Sequence, residues 1–413
     1  MANTIIENLP LLTFTNVYDP LVVSSNLATG SAFRFVLDVS GALGSARLKC
    51  DPHPVSRFGF FGINRIVETL FLPTIPQISS AWQAGNWATQ ANLTLREEIS
   101  GTLATGVITS KVFAAGGHAG YIDYLNAVQE NYRLISTGTT GAAGDILFSN
   151  RPTERSLLFT TPEFVHAIVD PALVSGVQCR VRYYNSVGTL VRTFFTSRAG
   201  TGVSNIINMG GQAVYNLTGA QCSDGNAGSL NFPPQGGFYD YSLVADNANT
   251  TTGKRRSLDY RIYLKTIQSG INVQNVCSGT IYEHNSGHEM VLFFLNEYGS
   301  WDTFEFTMKR RRRVNVTRQQ YGRNFDTYGF ENWIQNINTE YQYEYELNTD
   351  WLTNTEFTWL LELIVSRFVY MHMPTIGLMP VLLQNNDYRI ERRINDGLRQ
   401  LQIIALAAEK IIA

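Results

Sequence analysis

The sequence has little charge, and no apolar run long enough to span a membrane. Charged residues make up 16% of the 413 residues, and the formal net charge is -2. A near-neutral chain argues against a general nucleic-acid binder, because such proteins are usually clearly basic. No apolar run approaches the roughly 20 residues that a bilayer-spanning helix needs. Low charge together with many Asn, Thr, Ser and Gly residues is typical of a β-rich protein whose surface is used for contacts.

The sequence also lacks the motifs of common enzymes and metal proteins. No P-loop, HExxH, GxSxG or dinucleotide-binding glycine pattern occurs. The four cysteines have no CxxC spacing, which argues against a disulfide framework or a zinc site. The densest group of metal-capable side chains is EHNSGHE at Glu283–Glu289, where Ser286 and Gly287 favour a loop. We therefore predict no catalytic residues, no metal, no cofactor and no enzymatic activity.

Alternating apolar and polar residues are the main pattern that is present. Aromatic residues make up 12% of the chain, which favours strands. Period-two alternation in Phe33–Cys50 and again in Val177–Phe195 predicts a strand, a turn and a strand in each. In both places a segment with paired isoleucines follows, so we interpret the two as a weak internal repeat of β-sandwich units. The predicted fold class is mainly β, with tandem antiparallel β-sandwich units and a C-terminal α+β unit.

Two helices interrupt this pattern. Gly62–Leu72 carries apolar residues at helical spacing and stops at a proline. The second helix has the stronger signal, because Thr353 and Glu356 form a capping box. Its predicted apolar face consists of Phe357, Leu360, Leu361, Ile364, Val365 and Phe368. From these elements we predict an N-terminal β-sandwich with an inserted helix over residues 1–149, a second β-sandwich over 150–320, and an α+β unit over 321–413.

Residues 289–306, EMVLFFLNEYGSWDTFEF, predict the core hairpin of the second sandwich. Apolar side chains would point to both faces of the first strand, which is typical of a strand buried between two layers. Asn296, Gly299, Ser300 and Asp302 supply the turn chemistry. The predicted structural core residues are Phe293, Leu295, Trp301, Phe304 and Phe306.

The sharpest charge feature is the run Lys309, Arg310, Arg311, Arg312 and Arg313. At least one side of such a strand must face solvent or an acidic partner, because burying unpaired charge is costly. Contact with a neighbouring subunit and contact with phosphate are the functional interpretations. The structural alternative is a solvated edge strand that resists pairing with other edges.

Several segments resemble one family of phage proteins. FFLNEYGSWDTFEF resembles the pattern L-N-x-[YFW]-G-x-W-[DE]-x-F-x-F of structural proteins in tailed-phage virions, especially phages of Bacteroidetes-type and aquatic bacteria. SAFRFVLDVSGALGSARLKCDPHP with FGFFGINRIVETLFLP, FSNRPTERSLLF, and MPVLLQNNDYRIERRINDGLRQLQIIALAAE resemble other parts of the same family. The resemblance spans most of the chain.

The resemblance implies a structural protein of the tail, baseplate or tail-attachment region, made in the host cytoplasm and incorporated into the virion. Its expected partners are other virion proteins and copies of itself in a symmetric oligomer. The alternative is a carbohydrate-binding module for host adsorption, whose partner would be a host surface glycan held on exposed Trp and Tyr rings. A weaker third reading is a glycosidase, which would need two facing carboxylates in a groove.

Overall fold

The computed structural model describes residues 3–5, 14–16, 21–25, 33–41, 44–55, 59–61, 75–78, 81–84, 88–103, 107–114, 149–168, 174–197, 204–229, 237–247, 255–256, 259–265, 290–296, 299–306, 308, 311–322, 334–373, 377–384, 390–392, 398–408 and 411–412. The predicted helix Gly62–Leu72, the segment Glu283–Glu289, Lys309 and Arg310 lie outside these residues.

The chain divides into two compact units. The first unit comprises Met1–Thr266, Asn275–Cys277 and Asn296–Asp302, and the second comprises Ile267–Gln274, Ser278–Leu295 and Thr303–Ala413. The division into 1–149, 150–320 and 321–413 stays a prediction.

The strands described in the first unit are short to medium in length. They are β1 (Asn3–Ile5), β2 (Phe14–Asn16), β3 (Leu21–Ser25), β4 (Phe33–Gly41), β5 (Gly44–Cys50), β6 (Gly59–Phe61), β7 (Gln83–Ala84), β8 (Ala88–Ile99), β9 (Thr102–Leu103), β10 (Val107–Ala114), β11 (Glu154–Leu158), β12 (Phe164–Ile168), β13 (Val174–Tyr184), β14 (Leu190–Phe195), β15 (Ser204–Asn208), β16 (Phe238–Asn247), β17 (Arg255–Arg256) and β18 (Tyr260–Lys265). The helix α1 (Gly211–Tyr215) and a 3-10 turn at Gly219–Gln221 follow β15.

These strands form four sheets. Their orders are β1-β3-β6, β2-β10-β8-β4-β5 with β9 on β8, β11-β18-β16-β13-β14 with β17 on β16, and β12-β15-β7. Neighbours are antiparallel except for β2 with β10 and β11 with β18, which are parallel. The mainly β fold is therefore confirmed, while the sandwich packing of the sheets stays a prediction.

Alternation decides which face of β13 is buried. Val177, Cys179, Val181 and Tyr183 are 0% exposed, and the residues between them are partly exposed. In the same sheet, β16 buries Tyr239 and Tyr241, and β18 buries Tyr260 and Ile262. Both predicted hairpins are present, because β4 pairs with β5 and β13 pairs with β14, each antiparallel.

Within the described residues of the second unit there are one large sheet and one long helix. Its strands are β19 (Met290–Leu295), β20 (Trp301–Phe306), β21 (Arg311–Gly322), β22 (Ile334–Asn348), β23 (Val369–Met373), β24 (Gly377–Leu383), β25 (Ile390–Arg392), β26 (Arg399–Ala407) and β27 (Ile411–Ile412), with β20 beginning on two residues grouped in the first unit. The order is β20-β19-β23-β24-β26-β22-β21, with β25 on β26 and β27 on β22. The helix is α2 (Asn354–Val365).

The helix α2 starts where its capping box predicts. The backbone N–H of Glu356 donates to Oγ1 of Thr353 at 3.2 Å, and the N–H of Thr353 donates back to the Glu356 carboxylate at 2.9 Å. Three positions of the predicted apolar face are wrong: Leu361 is 38% and Val365 55% exposed, and Phe368 lies beyond the end of α2 at Val365. Trp359 and Leu363 are buried instead, because the helix rests on the sheet through the side that carries them.

Neither of the two α-helices described is long and apolar enough to cross a membrane.

Substitution of Thr353 by Ala should lower the free energy of unfolding by about 1 kcal/mol, because the N–H of Glu356 at the start of α2 loses its side-chain acceptor. Thr355→Ala is the matched control, since Thr355 is an exposed residue inside the same helix and alanine favours helix there. Urea denaturation followed by tryptophan fluorescence measures both variants. Equal stability of Thr353→Ala and the parent chain would contradict the role of the cap.

Candidate functional site

The predicted core hairpin lies entirely in the interior. All six residues of β19 and all six of β20 are buried, including the five predicted core residues Phe293, Leu295, Trp301, Phe304 and Phe306. Leu292 and Phe294 face the helix side of the sheet, where the Phe294 and Trp359 rings lie 5.8 Å apart. Phe293 points to the opposite side and lies 6.2 Å from the His372 ring. Both faces of β19 are therefore covered.

The polar residues between β19 and β20 form the turn of this hairpin. The N–H of Asn296 donates to the carbonyl of Ser300 at 2.9 Å, and the N–H of Ser300 donates to Oδ1 of Asn296 at 3.0 Å. Gly299 has a φ of +78°, which L side chains rarely adopt. Asn296 and Gly299 thus close the turn, so their role is in folding.

A buried cluster of charged groups lies in the first unit around Arg151. Nε of Arg151 lies 3.2 Å from Oε1 of Glu163, and its Nη1 lies 3.7 Å from Oδ1 of Asp302, all on side chains that are 1% exposed. Nη1 of Arg151 also donates to the carbonyl of Phe164 at 2.7 Å. The guanidinium lies 5.3 Å from the centre of the Tyr260 ring and 5.9 Å from that of Tyr241.

The carboxylates of this cluster have further donors. Arg155 donates to Glu163 at 2.7 Å, and the hydroxyl of Tyr241 donates to the same carboxylate at 3.0 Å. Ser149 donates to Asp302 at 2.6 Å. Burial lowers the pKa of Arg151, but the negative charges of Glu163 and Asp302 outweigh it and raise the pKa above its ordinary value. The cluster is therefore a set of mutually compensated charges.

His166 adds a titratable acceptor beside this cluster. Its Nε2 accepts the backbone N–H of Trp301 at 3.1 Å. Burial, and secondly the charge of Arg151, hold the pKa of His166 well below its usual value. Sequence reasoning missed this cluster because its members are scattered, with Ser149 and Asp302 separated by 153 residues, and no local pattern joins them.

A row of linked ion pairs crosses four strands on the partly exposed face of β13, β16, β18 and β11. Asp259 accepts from Arg180 at 2.6 Å and from Arg182 at 2.8 Å. Asp240 then accepts from Arg182 at 2.9 Å and from Arg261 at 2.8 Å, and Arg261 lies 3.7 Å from Glu154. The hydrogen bond to Asp240 raises the pKa of Arg261.

Aromatic rings stand beside these ion pairs. The rings of Tyr184 and Phe238 are stacked at 4.7 Å with an interplanar angle of 15°. The Arg261 guanidinium lies 4.5 Å from the centre of the Phe238 ring, and the Tyr263 ring lies 5.3 Å from it. The ring faces of Phe238 are therefore occupied by other groups of the protein.

The described part of the basic run begins β21, which lies at the edge of its sheet among the strands that the structure describes. The strand pairs with β22 in a long ribbon, and residues 311–320 are all exposed. On one face Arg311 lies 3.7 Å from Glu346, and Arg313 lies 3.3 Å from Glu346 and 3.5 Å from Glu344. These arginines thus have carboxylate partners within the ribbon.

The other face of the ribbon is aromatic and aliphatic, and we call it the apolar ribbon face. It carries Arg312, Val314, Val316 and Arg318 of β21 opposite Tyr345, Tyr343, Tyr341 and Thr339 of β22. The Arg312 guanidinium lies 5.0 Å from the centre of the Tyr343 ring. Val314 is 48% and Val316 41% exposed. Tyr345 belongs to the core under α2, so this face continues the core outward into solvent.

No family model and no curated protein matches the chain. Among the described residues, no group of three or more His, Cys, Asp or Glu side chains is placed to hold a metal ion.

Replacing Arg151 by Met should lower the free energy of unfolding by about 3 kcal/mol or more, because the buried carboxylates of Glu163 and Asp302 each lose a cationic partner, although Glu163 keeps Arg155. Arg151→Lys should restore only part of the loss, since one ammonium cannot reach Glu163, Asp302 and the Phe164 carbonyl together. The control is Arg34→Met, which removes an exposed pair with Asp51 and should change little. Urea denaturation measures all three; a loss for Arg151→Met as small as that for Arg34→Met would contradict the role of the cluster.

Stability should fall as the pH falls below about 6.5, because the unfolded chain then binds a proton at His166 that the folded chain excludes. The expected slope is about 1.4 kcal/mol per pH unit from this group, and its contribution is fully present above the unfolded pKa. His166→Gln keeps an acceptor without titrating, so its stability should depend less on pH between 7 and 5. Identical pH profiles for the two chains would contradict this.

Proposed function

We propose that the chain is a non-enzymatic structural component of a phage virion, in the tail, baseplate or tail-attachment region, and that copies of it assemble as a symmetric oligomer. The observation that carries the proposal is the ribbon of β21 and β22, whose edge strand exposes ten successive residues, 311–320. Its Val314 and Val316 side chains are exposed beside aromatic rings. The resemblance of FFLNEYGSWDTFEF to virion proteins supplies the biological context.

The buried polar groups support a structural role over a catalytic one. Glu163, Asp302 and His166 are each 1% exposed, and Arg151 is 4% exposed. Each of the two carboxylates already accepts hydrogen bonds from protein side chains. Acid–base catalysis requires a group within hydrogen-bond reach of a substrate. These buried groups instead form hydrogen bonds and ion pairs within the protein.

The aromatic rings of Tyr184, Phe238 and Tyr263 in the first unit do not support the alternative function, carbohydrate binding. Sugar recognition by stacking needs an open ring face, whereas Phe238 is covered by Tyr184 and Arg261. The three rings therefore brace neighbouring strands. Binding to a glycan array that is lost in Tyr184→Ala would favour the carbohydrate-binding function instead.

Mass spectrometry of purified particles tests the proposal most directly. We expect the chain to copurify with particles through a density gradient, in a fixed ratio to the other structural proteins. Antibodies against the chain should label the tail or its attachment region in negative stain. Absence of the chain from particles that contain their other structural proteins would overturn the proposal.

A further inference from the structure

We propose that the edge strand β21 pairs antiparallel with β21 of a second copy of this chain, with Val316 at the two-fold axis. The inference rests on the proposed assembly function, and it names the partner and register of that surface. Among the strands that the structure describes, β21 pairs only with β22, so its other edge offers backbone groups to an added strand. Addition of a strand to such an edge is a common mode of recognition.

The distribution of charge along β21 favours antiparallel over parallel pairing with a second copy. The arginines 311–313 stand at the start of the strand, and the neutral residues Gln319, Gln320 and Tyr321 stand at its end. Antiparallel pairing of two copies therefore places each basic start beside a neutral end. Parallel pairing in register would place arginine beside arginine, which is destabilising.

In the register centred on Val316, no arginine of one copy lies directly opposite an arginine of the other copy. Side chains that face each other across antiparallel strands share one face of the sheet. In this register Val314 lies opposite Arg318 of the second copy, Arg313 opposite Gln319, and Arg312 opposite Gln320. Val316 lies beside Val316 of the second copy, which is a favourable β-branched pair.

The existing contacts of the arginines reduce the repulsion that a basic edge normally creates. Arg311 and Arg313 are paired with Glu346 and Glu344 inside the ribbon, and Arg312 lies over the Tyr343 ring. The apolar ribbon faces of two copies would also join along the new strand pair. The 41% exposed Val316 side chain would then lose water contact on the side that faces its counterpart.

Cysteine cross-linking in the full chain tests the register. Val316→Cys should form a disulfide-linked dimer under mild oxidation, because the two side chains face each other. Val314→Cys and Arg318→Cys should each cross-link poorly alone but efficiently when mixed, since residue 314 of one copy faces residue 318 of the other. The parent chain controls for the native cysteines, of which Cys179 and Cys222 are buried.

Equal cross-linking of all three single variants would indicate parallel pairing and overturn the proposal. A second result would also overturn the proposal: no variant forms cross-links, and the chain is a monomer in sedimentation equilibrium at about 100 μM. At that concentration even contacts with micromolar dissociation constants associate. That result, with the chain still found in particles, would reject this contact and leave the virion role intact.

A matched pair of substitutions tests the energetics. Val316→Arg places two like charges at the axis and should weaken self-association at least about tenfold. Val316→Thr keeps a β-branched side chain and should weaken it only about two- to threefold. Urea denaturation of both variants should show the same stability as the parent, which separates lost association from lost folding. Equal association of the two variants would overturn the proposal.

Discussion

Burial on both faces of β19 is the constraint on which the second unit depends. Leu292 and Phe294 on one face contribute to the core beneath α2, and Phe293, on the other face, is 0% exposed. A strand apolar on both sides cannot be placed at a solvated surface without exposing one row of large side chains. It is therefore held inside the sheet, between β20 and β23. The other strands extend from this position, and the sheet ends at the polar, exposed strand β21.

The first unit is stabilised in a different manner, with charge as well as apolar side chains in its interior. Arg151 holds two carboxylates and stacks on two tyrosines, so each charge that has lost water has gained a partner. Such a cluster adds little net stability compared with apolar packing. Removing one member is nevertheless costly, because the remaining charges stay buried without their partner. Because Ser149, Glu163, Tyr241 and Asp302 are distant in sequence, we infer that the cluster specifies one arrangement of these segments.

The sequence was most informative where one local signal decides the structure. Alternation in Val177–Tyr183 and the capping box at Thr353 predicted a strand and a helix start, and both are present. The face of α2 was predicted incorrectly, because the helix carries apolar residues on several sides and only the sheet beneath it selects Trp359 and Leu363. The Arg151 cluster could not be predicted, since its members meet only through tertiary folding.

The residue pattern of Leu295–Phe306 is explained by folding requirements. Its apolar positions fill the core, and its Asn and Gly close the turn. The basic run beside it is exposed on β21, where carboxylates of β22 partly neutralise it. The apolar strands of this hairpin therefore lie in the interior, and the described arginines of the basic run lie at the other end of the same sheet.

Native-state hydrogen exchange tests the central claim that the second unit depends on the burial of both faces of β19. We predict that the amides of Met290–Leu295 exchange only through global unfolding, with an opening free energy equal to that from urea denaturation. Faster exchange of these amides while those of β23 and β26 remain protected would contradict the claim.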